Sequence, residues 1–323
     1  MRAACALAAF LLAAGAARGQ PPAPPAGGGA GLIPSVTTPP PKPEDAPAGA
    51  DVAYGAYQRG FFQTALAAAR KRIDRNPDDA AALTLLGQLH TEGIAVPRDL
   101  GKAAGFFKRA ADLGDPNAAF SLGAALLEGR GVPADRAQAQ TLFERAAAKN
   151  NPGALYDLAV MAIDKPVPDY AAAAALFRRS AEAGGSEGAY ALGLLHHEGR
   201  GVPQNDAESL RWLKRAAEDG NVPAMVQYAI MLFNGQGAER DEAAAARWFL
   251  KAAQRNNPVA QNRAARLLAA GRGVRPDLVE AMKWHLLARS AGLGDAWLDD
   301  RLSTLTTAQR GAVEEAVRRY NGS

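Results

Sequence analysis

Apolar residues recur at three- and four-residue spacing from about residue 51 onward, which is the pattern of amphipathic helices. The pattern itself repeats every 34 or 36 residues, and each repeat carries a small residue followed five positions later by another. We expect each repeat to form a helical hairpin whose small residues let its two helices approach closely. A single hairpin cannot bury its apolar face but stacked hairpins can, so the pattern predicts an all-α solenoid. The first small residues are Ala82, Ala118, Ala154, Gly188, Ala224 and Ala260.

A glycine-containing loop separates the two predicted helices of most repeats, and "EGRGVP" occurs at both 128–133 and 198–203. Glycine favours the left-handed conformation that commonly ends a helix, and the Asp or Asn that follows is a good N-cap. The loop lacks the third glycine of a dinucleotide-binding loop and is not followed by Lys-Ser/Thr, so we interpret it as a turn. The glycines are Gly93, Gly129, Gly199, Gly235 and Gly271, and the N-caps are Asp99, Asp135, Asn205, Asp241 and Asp277.

Three of these N-caps predict capping boxes, because a Gln or Glu follows three residues later. The pairs are Asp135 with Gln138, Asn205 with Glu208, and Asp277 with Glu280.

Residues 118–154 are "AAFSLGAALLEGRGVPADRAQAQTLFERAAAKNNPGA", and residues 188–224 are "GAYALGLLHHEGRGVPQNDAESLRWLKRAAEDGNVPA". Both segments resemble Sel-one-like repeats, which are relatives of tetratricopeptide repeats with a longer loop inside the hairpin. The resemblance covers residues 82–295 and implies a right-handed α/α superhelix of six repeats. The third repeat departs from the pattern, because it lacks the glycine loop and is two residues shorter. The predicted repeats are 82–117, 118–153, 154–187, 188–223, 224–259 and 260–295.

Capping elements are predicted at both ends of the repeats, where they would cover apolar faces that have no neighbouring repeat. Residues 51–81 resemble a degenerate tetratricopeptide-type hairpin. Residues 296–323 contain a capping box, formed by Thr306 and Gln309, at the start of a last helix.

The N-terminal residues 1–19 combine an early Arg with a short Ala/Leu-rich run and small residues before Gln20, which predicts a secretory signal peptide. An uncleaved membrane anchor is the alternative. Residues 20–50 are rich in Pro and Gly and predict a disordered tether. Cleavage would remove Cys5, which is the only cysteine, and would place the protein in the periplasm or outside the cell.

The charge of the chain argues against a nucleic acid as its partner. The 323 residues include 37 basic and 33 acidic residues, for a net charge of +4. Cleavage before Gln20 would remove two of the arginines and leave a surplus of two positive charges. So small a surplus does not provide the basic surface that nucleic-acid binding requires.

Two features could suggest chemistry, and each has a simpler structural explanation. Residues 184–188, "GGSEG", match the Gly-x-Ser-x-Gly motif of hydrolases, but they align with turns between helices rather than with a strand-to-helix turn. The four histidines align with apolar or aromatic positions of other repeats and lack metal-binding spacing. We therefore expect a protein that is not an enzyme and that needs no cofactor or metal.

A basic residue recurs near the end of the second helix of five repeats. We expect these side chains to reach carboxylates or carbonyl groups near a helix end, and binding of an acidic polymer is the alternative. They are Arg109, Arg145, Arg179, Arg215 and Lys251.

The first helices of the repeats carry the best binding candidates, because the resemblance implies that these helices line a concave surface. Two inward positions per repeat give a groove that suits a protein or peptide partner. It is more polar towards its ends, at Thr84, Thr91, Asn262 and Ala269, and apolar and aromatic in the middle. The residues are Phe120, Leu127, Tyr156, Ile163, Tyr190, His197, Val226 and Phe233. The sequence thus favours a non-catalytic scaffold of the bacterial cell envelope. The alternative is a carbohydrate-binding accessory protein for peptidoglycan or exopolysaccharide, in which the aromatic rings would stack on sugars.

Overall fold

The computed structural model describes residues 51–322, so the predicted signal peptide and the Pro/Gly-rich leader lie outside the described residues. Every regular element in the described range is a helix, which confirms the all-α class. None of these helices has the combination of length and apolarity that a bilayer-spanning segment needs. The helices group into two compact units, which meet in sequence between residues 167 and 168.

The first unit is a series of seven helices in which each helix packs against the next one along the chain. The predicted capping hairpin forms the first two helices, and the other five belong to the first three repeats. The helices are α1 (Val52–Gln58), α2 (Phe62–Arg75), α3 (Ala80–Glu92), α4 (Leu100–Asp112), α5 (Pro116–Glu128), α6 (Arg136–Ala148) and α7 (Pro152–Ile163).

The second unit continues the same order, and each helix again packs on its neighbour in sequence as far as the last repeat. The C-terminal cap differs, because its last helix, α16, packs mainly on α14 rather than on the short helix α15 that precedes it in the sequence. The helices are α8 (Tyr170–Glu182), α9 (Ser186–Glu198), α10 (Asp206–Glu218), α11 (Val222–Asn234), α12 (Glu242–Ala253), α13 (Pro258–Ala270), α14 (Leu278–Ser290), α15 (Ala296–Ser303) and α16 (Thr307–Tyr320).

The small residues of the repeat lie where the two helices of a hairpin touch. A Cβ atom added to Gly87 of α3 would lie 2.5 Å from the ring of Phe107 on α4. The equivalent Cβ at Gly123 would lie 2.7 Å from the ring of Phe143, and both distances are too short for real contacts. An aromatic side chain therefore occupies the space that a larger residue at the small position would need.

All five predicted N-caps are confirmed, since each side chain accepts a hydrogen bond from the backbone N–H three residues later. The reciprocal bond of a capping box forms only between Thr306 and Gln309 within the described residues. At Asn205 and Asp277 the predicted reciprocal bond does not form. The side chains of Glu208 and Glu280 pair instead with a basic side chain on their own helix. A charged partner three residues away competes successfully with the exposed backbone N–H.

The first glycine of each loop ends its helix in the left-handed conformation, as predicted, with φ between 65° and 70°. The second glycine, two residues later, has a different role. A Cβ atom at Gly237 would lie 2.3 Å from the carbonyl oxygen of Asp206, which begins the second helix of the preceding repeat. Gly131, Gly201 and Gly273 approach the preceding second helix in the same way. The loop therefore also sets the distance between consecutive hairpins.

The contact at the second glycine predicts a stability difference between two glycine substitutions in the second unit. Gly220→Ala places a Cβ at a positive φ of 92° with no atom within 4 Å, so we expect a loss of about 1–2 kcal/mol of unfolding free energy. Gly237→Ala has a positive φ of 77° and a backbone clash, so we expect a further loss of about 1–3 kcal/mol. Urea denaturation followed by circular dichroism measures both. Equal losses would show that the close backbone contact at Gly237 does not affect the free energy of unfolding.

Candidate functional site

In the first unit, the predicted groove residues are largely used for packing. Tyr156 and Ile163 are buried, with 2% and 6% of their surface exposed. Phe120 is half-buried and covers Gly153, where an added Cβ would lie 2.6 Å from the ring. Leu127 is half-buried as well. The expectation that Tyr156 and Ile163 present an open binding surface is therefore wrong, because the helices close over them.

In the second unit, Tyr190 is also buried, with 9% of its surface exposed, so the expectation of an open aromatic surface there is wrong. His197 is half-buried, and its Nδ1 lies 2.7 Å from a carboxylate oxygen of Asp206. Val226 and Phe233 are half-buried. Among the eight predicted residues, Phe233 alone lines the cleft described next.

A cleft of about 420 Å³ lies in the second unit, within the volume range of about 300–1,000 Å³ that is usual for ligand sites. The first helices of the last two repeats, α11 and α13, supply most of its lining, and α12, the last glycine loop and α15 complete it. The lining residues are Ile230, Phe233, Asn234, Phe249, Arg263, Arg266, Leu267, Ala270, Arg272 and Trp297.

One wall of the cleft is a bidentate ion pair between α13 and the N-cap of α15. Arg266 donates to both carboxylate oxygens of Asp295 over 2.6 and 3.0 Å, and the side-chain amide of Asn262 donates to the same group. Asp295 also accepts from the backbone N–H groups of Trp297 and Leu298, which starts α15 at this point. The guanidinium of Arg266 lies 5.6 Å from the centre of the Trp297 ring. The ion pair therefore fixes the tryptophan at the edge of the cleft.

A second wall of the cleft is organised by Glu242, at the start of α12. Its carboxylate accepts from Arg272 over 2.6 and 3.2 Å and also pairs with Arg240. Both guanidinium groups lie over the ring of Phe233, at 4.5 and 5.4 Å from its centre. Because one carboxylate holds two arginines, this wall keeps a positive charge.

The arginines stabilise both carboxylates in their charged form. Hydrogen bonds from Arg266 hold the pKa of Asp295 far below its usual range, although burial acts in the opposite direction. Hydrogen bonds from Arg272, and then from Arg240, lower the pKa of Glu242 in the same way. The two walls therefore keep their ion pairs throughout the physiological pH range.

The cleft residues other than Phe233 were not predicted from the sequence, because they come together only in the folded protein. A signal is present in the sixth repeat, where Arg266 occupies a position that is apolar in four other repeats. The apolar residues at that position are Ala124, Val160, Leu194 and Ile230.

The loop residue Arg272 carries a second signal. In the second and fourth repeats, the equivalent arginines pair with a glutamate two residues earlier, as Arg130 does with Glu128. Ala270 replaces that glutamate in the sixth repeat. Arg272 therefore reaches Glu242 of the preceding repeat and lines the cleft.

Two of the recurring basic residues link neighbouring hairpins. Arg109 donates to the carbonyl of Pro77 over 2.7 Å, and Arg145 donates to the carbonyl of Ala111 over 2.6 Å. Arg215 and Lys251 lie over tryptophan rings of their own helices. The carbonyl contacts of Arg109 and Arg145 agree with the expected role near helix ends, whereas the contacts given for Arg215 and Lys251 are with aromatic rings.

The serine and histidines that could suggest chemistry lie in helices. Ser186 lies in the first turn of α9, and its hydroxyl contacts the adjacent Glu187. His196 and His285 are buried at 6% and 0% exposure, and His90 stacks on Phe106. In residues 51–322, no group of three or more His, Cys, Asp or Glu side chains could hold a metal ion.

The Asp295–Arg266 ion pair predicts a pH-dependent contribution to stability. Asp295→Asn keeps an N-cap residue but removes the charge, so we expect a loss of about 1 kcal/mol at pH 7. A carboxylate with a lowered pKa in the folded state stabilises the protein above its unfolded pKa of about 3.9 and loses this effect as the pH falls through its folded pKa. The difference between wild type and variant should therefore shrink below about pH 4, as measured by urea denaturation.

Asp277→Asn is the matched control, because Asp277 is also an N-cap but pairs with no basic side chain among the described residues. A wild-type-to-Asp295→Asn difference that stayed constant from pH 7 to pH 3 would contradict the assignment.

A model of the Sel1 repeat family matches six consecutive segments, each beginning two residues before the corresponding predicted repeat. They are 80–115, 116–151, 152–185, 186–221, 222–257 and 258–293. Sel1 repeat proteins are generally scaffolds for protein interactions. The comparison with curated proteins returned no match.

The solved structures that are similar to the chain include the following two. A Sel1 repeat protein from Oxalobacter formigenes is 21% identical, with a TM-score of 0.62, over 73% of this chain and 94% of its own. A protective antigen of uropathogenic Escherichia coli that displays an SLR fold is 23% identical, with a TM-score of 0.47, over 82% of this chain and 66% of its own. At this level of identity the first structure shows the α-solenoid fold alone. Because the family model matches segments that run from residue 80 to residue 293 of 323, the chain belongs to the Sel1 repeat family.

Proposed function

We propose that this protein is a non-catalytic scaffold of the bacterial cell envelope that holds a partner protein through the cleft between α11, α13 and α15. The observation that carries the proposal is the cleft itself, whose walls are aromatic rings and arginines already fixed by ion pairs. Side chains that are ordered before binding lose little conformational entropy on association. Arginine and tryptophan are also the residue types most often found at energetically dominant positions of protein interfaces.

A protein partner fits the cleft better than a sugar. Sugar-binding aromatic rings need an open face, but the Trp297 ring has the guanidinium groups of Arg266 and Arg301 over it, at 5.6 and 4.4 Å from its centre. The Phe233 ring also has two guanidinium groups over it. A sugar would have to displace these cations, whereas a peptide can insert between the two walls.

The envelope location rests on the sequence of residues 1–19, which has the features of a secretory signal peptide. When the full-length gene is expressed in a Gram-negative host, we expect the protein in the periplasmic extract. Intact-mass spectrometry should give the mass of a chain that begins at Gln20. A protein found only in the cytoplasmic fraction with residues 1–19 retained would exclude this location and leave the cleft proposal unaffected.

Site-specific photo-crosslinking tests the docking site. A photoreactive amino acid at Ala270, which is exposed at the cleft, should crosslink to a partner protein in cells of the native species. The same group at Ala175, which is exposed on α8, is the control. We expect an adduct from position 270 only, reduced at least about tenfold by Trp297→Ala, because an anchoring aromatic side chain is worth about 2 kcal/mol or more.

Circular dichroism would first establish that Trp297→Ala is folded. Trp297 is 37% exposed, so the substitution creates no buried cavity. Adducts of equal yield from positions 270 and 175, or an adduct that Trp297→Ala does not change, would exclude the cleft as the docking site.

A further inference from the structure

The cleft has more positive than negative charge. Its lining includes Arg263, Arg266 and Arg272 and no carboxylate. Arg240 and Arg301 lie over the rings of Phe233 and Trp297, next to this lining. The carboxylates paired with these arginines are those of Asp295 and Glu242, so two negative charges face five positive ones.

Arg263 is the clearest unmatched charge. It is exposed on α13, lines the cleft and forms no ion pair with any residue in the range 51–322. It lies one helical turn before Arg266, and residues three apart on a helix share a face. The two guanidinium groups therefore belong to the same surface.

The arginines that do form ion pairs still have N–H groups for a ligand. Arg266 and Arg272 each use Nε and Nη2 for a carboxylate, while a guanidinium has five N–H groups. Stacking on the aromatic rings keeps both groups in a fixed orientation. A ligand with carboxylates would meet donors that are already in place.

Apart from Asn234, the remaining lining is apolar and consists of Ile230, Phe249, Leu267 and Ala270. We propose that the occupant of the cleft is an acidic segment of the partner protein, with carboxylates on both sides of a large apolar side chain. The apolar side chain would enter the floor, and the carboxylates would bind Arg263 and the arginines of the two walls. This inference rests on the proposed scaffold function and specifies the chemistry of the partner.

A short fluorescent peptide tests this chemistry directly. The probe carries glutamates on both sides of a Leu–Trp pair, and fluorescence anisotropy measures its binding to the full chain. We expect binding to weaken several-fold when the salt concentration rises from about 50 to about 300 mM, because salt screens partly exposed charges. Replacing the glutamates with glutamines should weaken binding at least about tenfold, and replacing Leu–Trp with Ser–Ser should have a similar effect.

Charge reversal on the protein locates the binding site. Arg263→Glu should weaken binding of the glutamate probe at least about tenfold without a loss of folding, since Arg263 pairs with no described residue. Arg247→Glu is the matched control, because Arg247 is an exposed arginine on α12 outside the cleft lining and the net charge changes equally. We expect an effect of less than about threefold for this control, which reflects the overall charge alone.

Several results would overturn the inference. Equal binding of the glutamate and glutamine probes would exclude acidic recognition, and equal effects of the two charge reversals would exclude the cleft. Displacement of the probe by a peptide of residues 20–50 would identify the protein's own leader as the occupant. Preferential binding of polygalacturonate that depends on Arg263 would identify an acidic polysaccharide instead.

The crosslinking experiment separates this inference from the proposed function. If an adduct forms at position 270 but the glutamate probe does not bind, the acidic specificity is wrong and the scaffold proposal stands. If no adduct forms and no probe binds, both are wrong.

Discussion

The structure depends on the distance between the loop of one repeat and the second helix of the repeat before it. At the second loop glycine, the backbone of the loop touches the backbone of that helix. At Gly273, for example, a side chain larger than a hydrogen atom would clash with the carbonyl group of Glu242. Within each unit, these contacts set the spacing between consecutive hairpins and so allow the alanine- and glycine-rich helix faces to meet. Where that loop is absent, in the third repeat, α7 ends at Ile163 and its C-cap Asp164 is not left-handed. The two compact units divide just beyond this point in the sequence.

The same contact also builds the candidate site. Arg272 stands between the two loop glycines of the sixth repeat, so the close approach of Gly273 to the start of α12 brings its side chain to Glu242. Elsewhere a glutamate at the end of the first helix holds the loop arginine, as Glu198 holds Arg200. With Ala270 in that place, the loop arginine lines the cleft instead.

The positions that stabilise the stack differ from those that line the cleft. The repeated positions are small, buried and similar in every hairpin, because each hairpin must present the same surface to the next. The cleft lies at the end of the series, where the last repeat meets α15 instead of another hairpin. Residues there do not have to pack against a following repeat. Large side chains such as Arg266 and Trp297 can therefore stand there without disturbing the packing of the hairpins. A partner at the proposed cleft would contact only the last two repeats and α15.

The sequence by itself determined the helices, their caps, the small contact positions and the six-repeat solenoid, because each of these follows from local spacing that recurs in register. It also indicated that the loop glycines end helices, but it did not reveal the second glycine's backbone contact, which joins two repeats. Only the tertiary structure decided which aromatic residues are open to a partner. Tyr156 and Tyr190 are buried because neighbouring helices cover them, whereas Trp297 stays partly exposed in the first turn of the short helix α15. Exposure depends on contacts between residues far apart in the chain, and periodicity within one repeat carries no information about them.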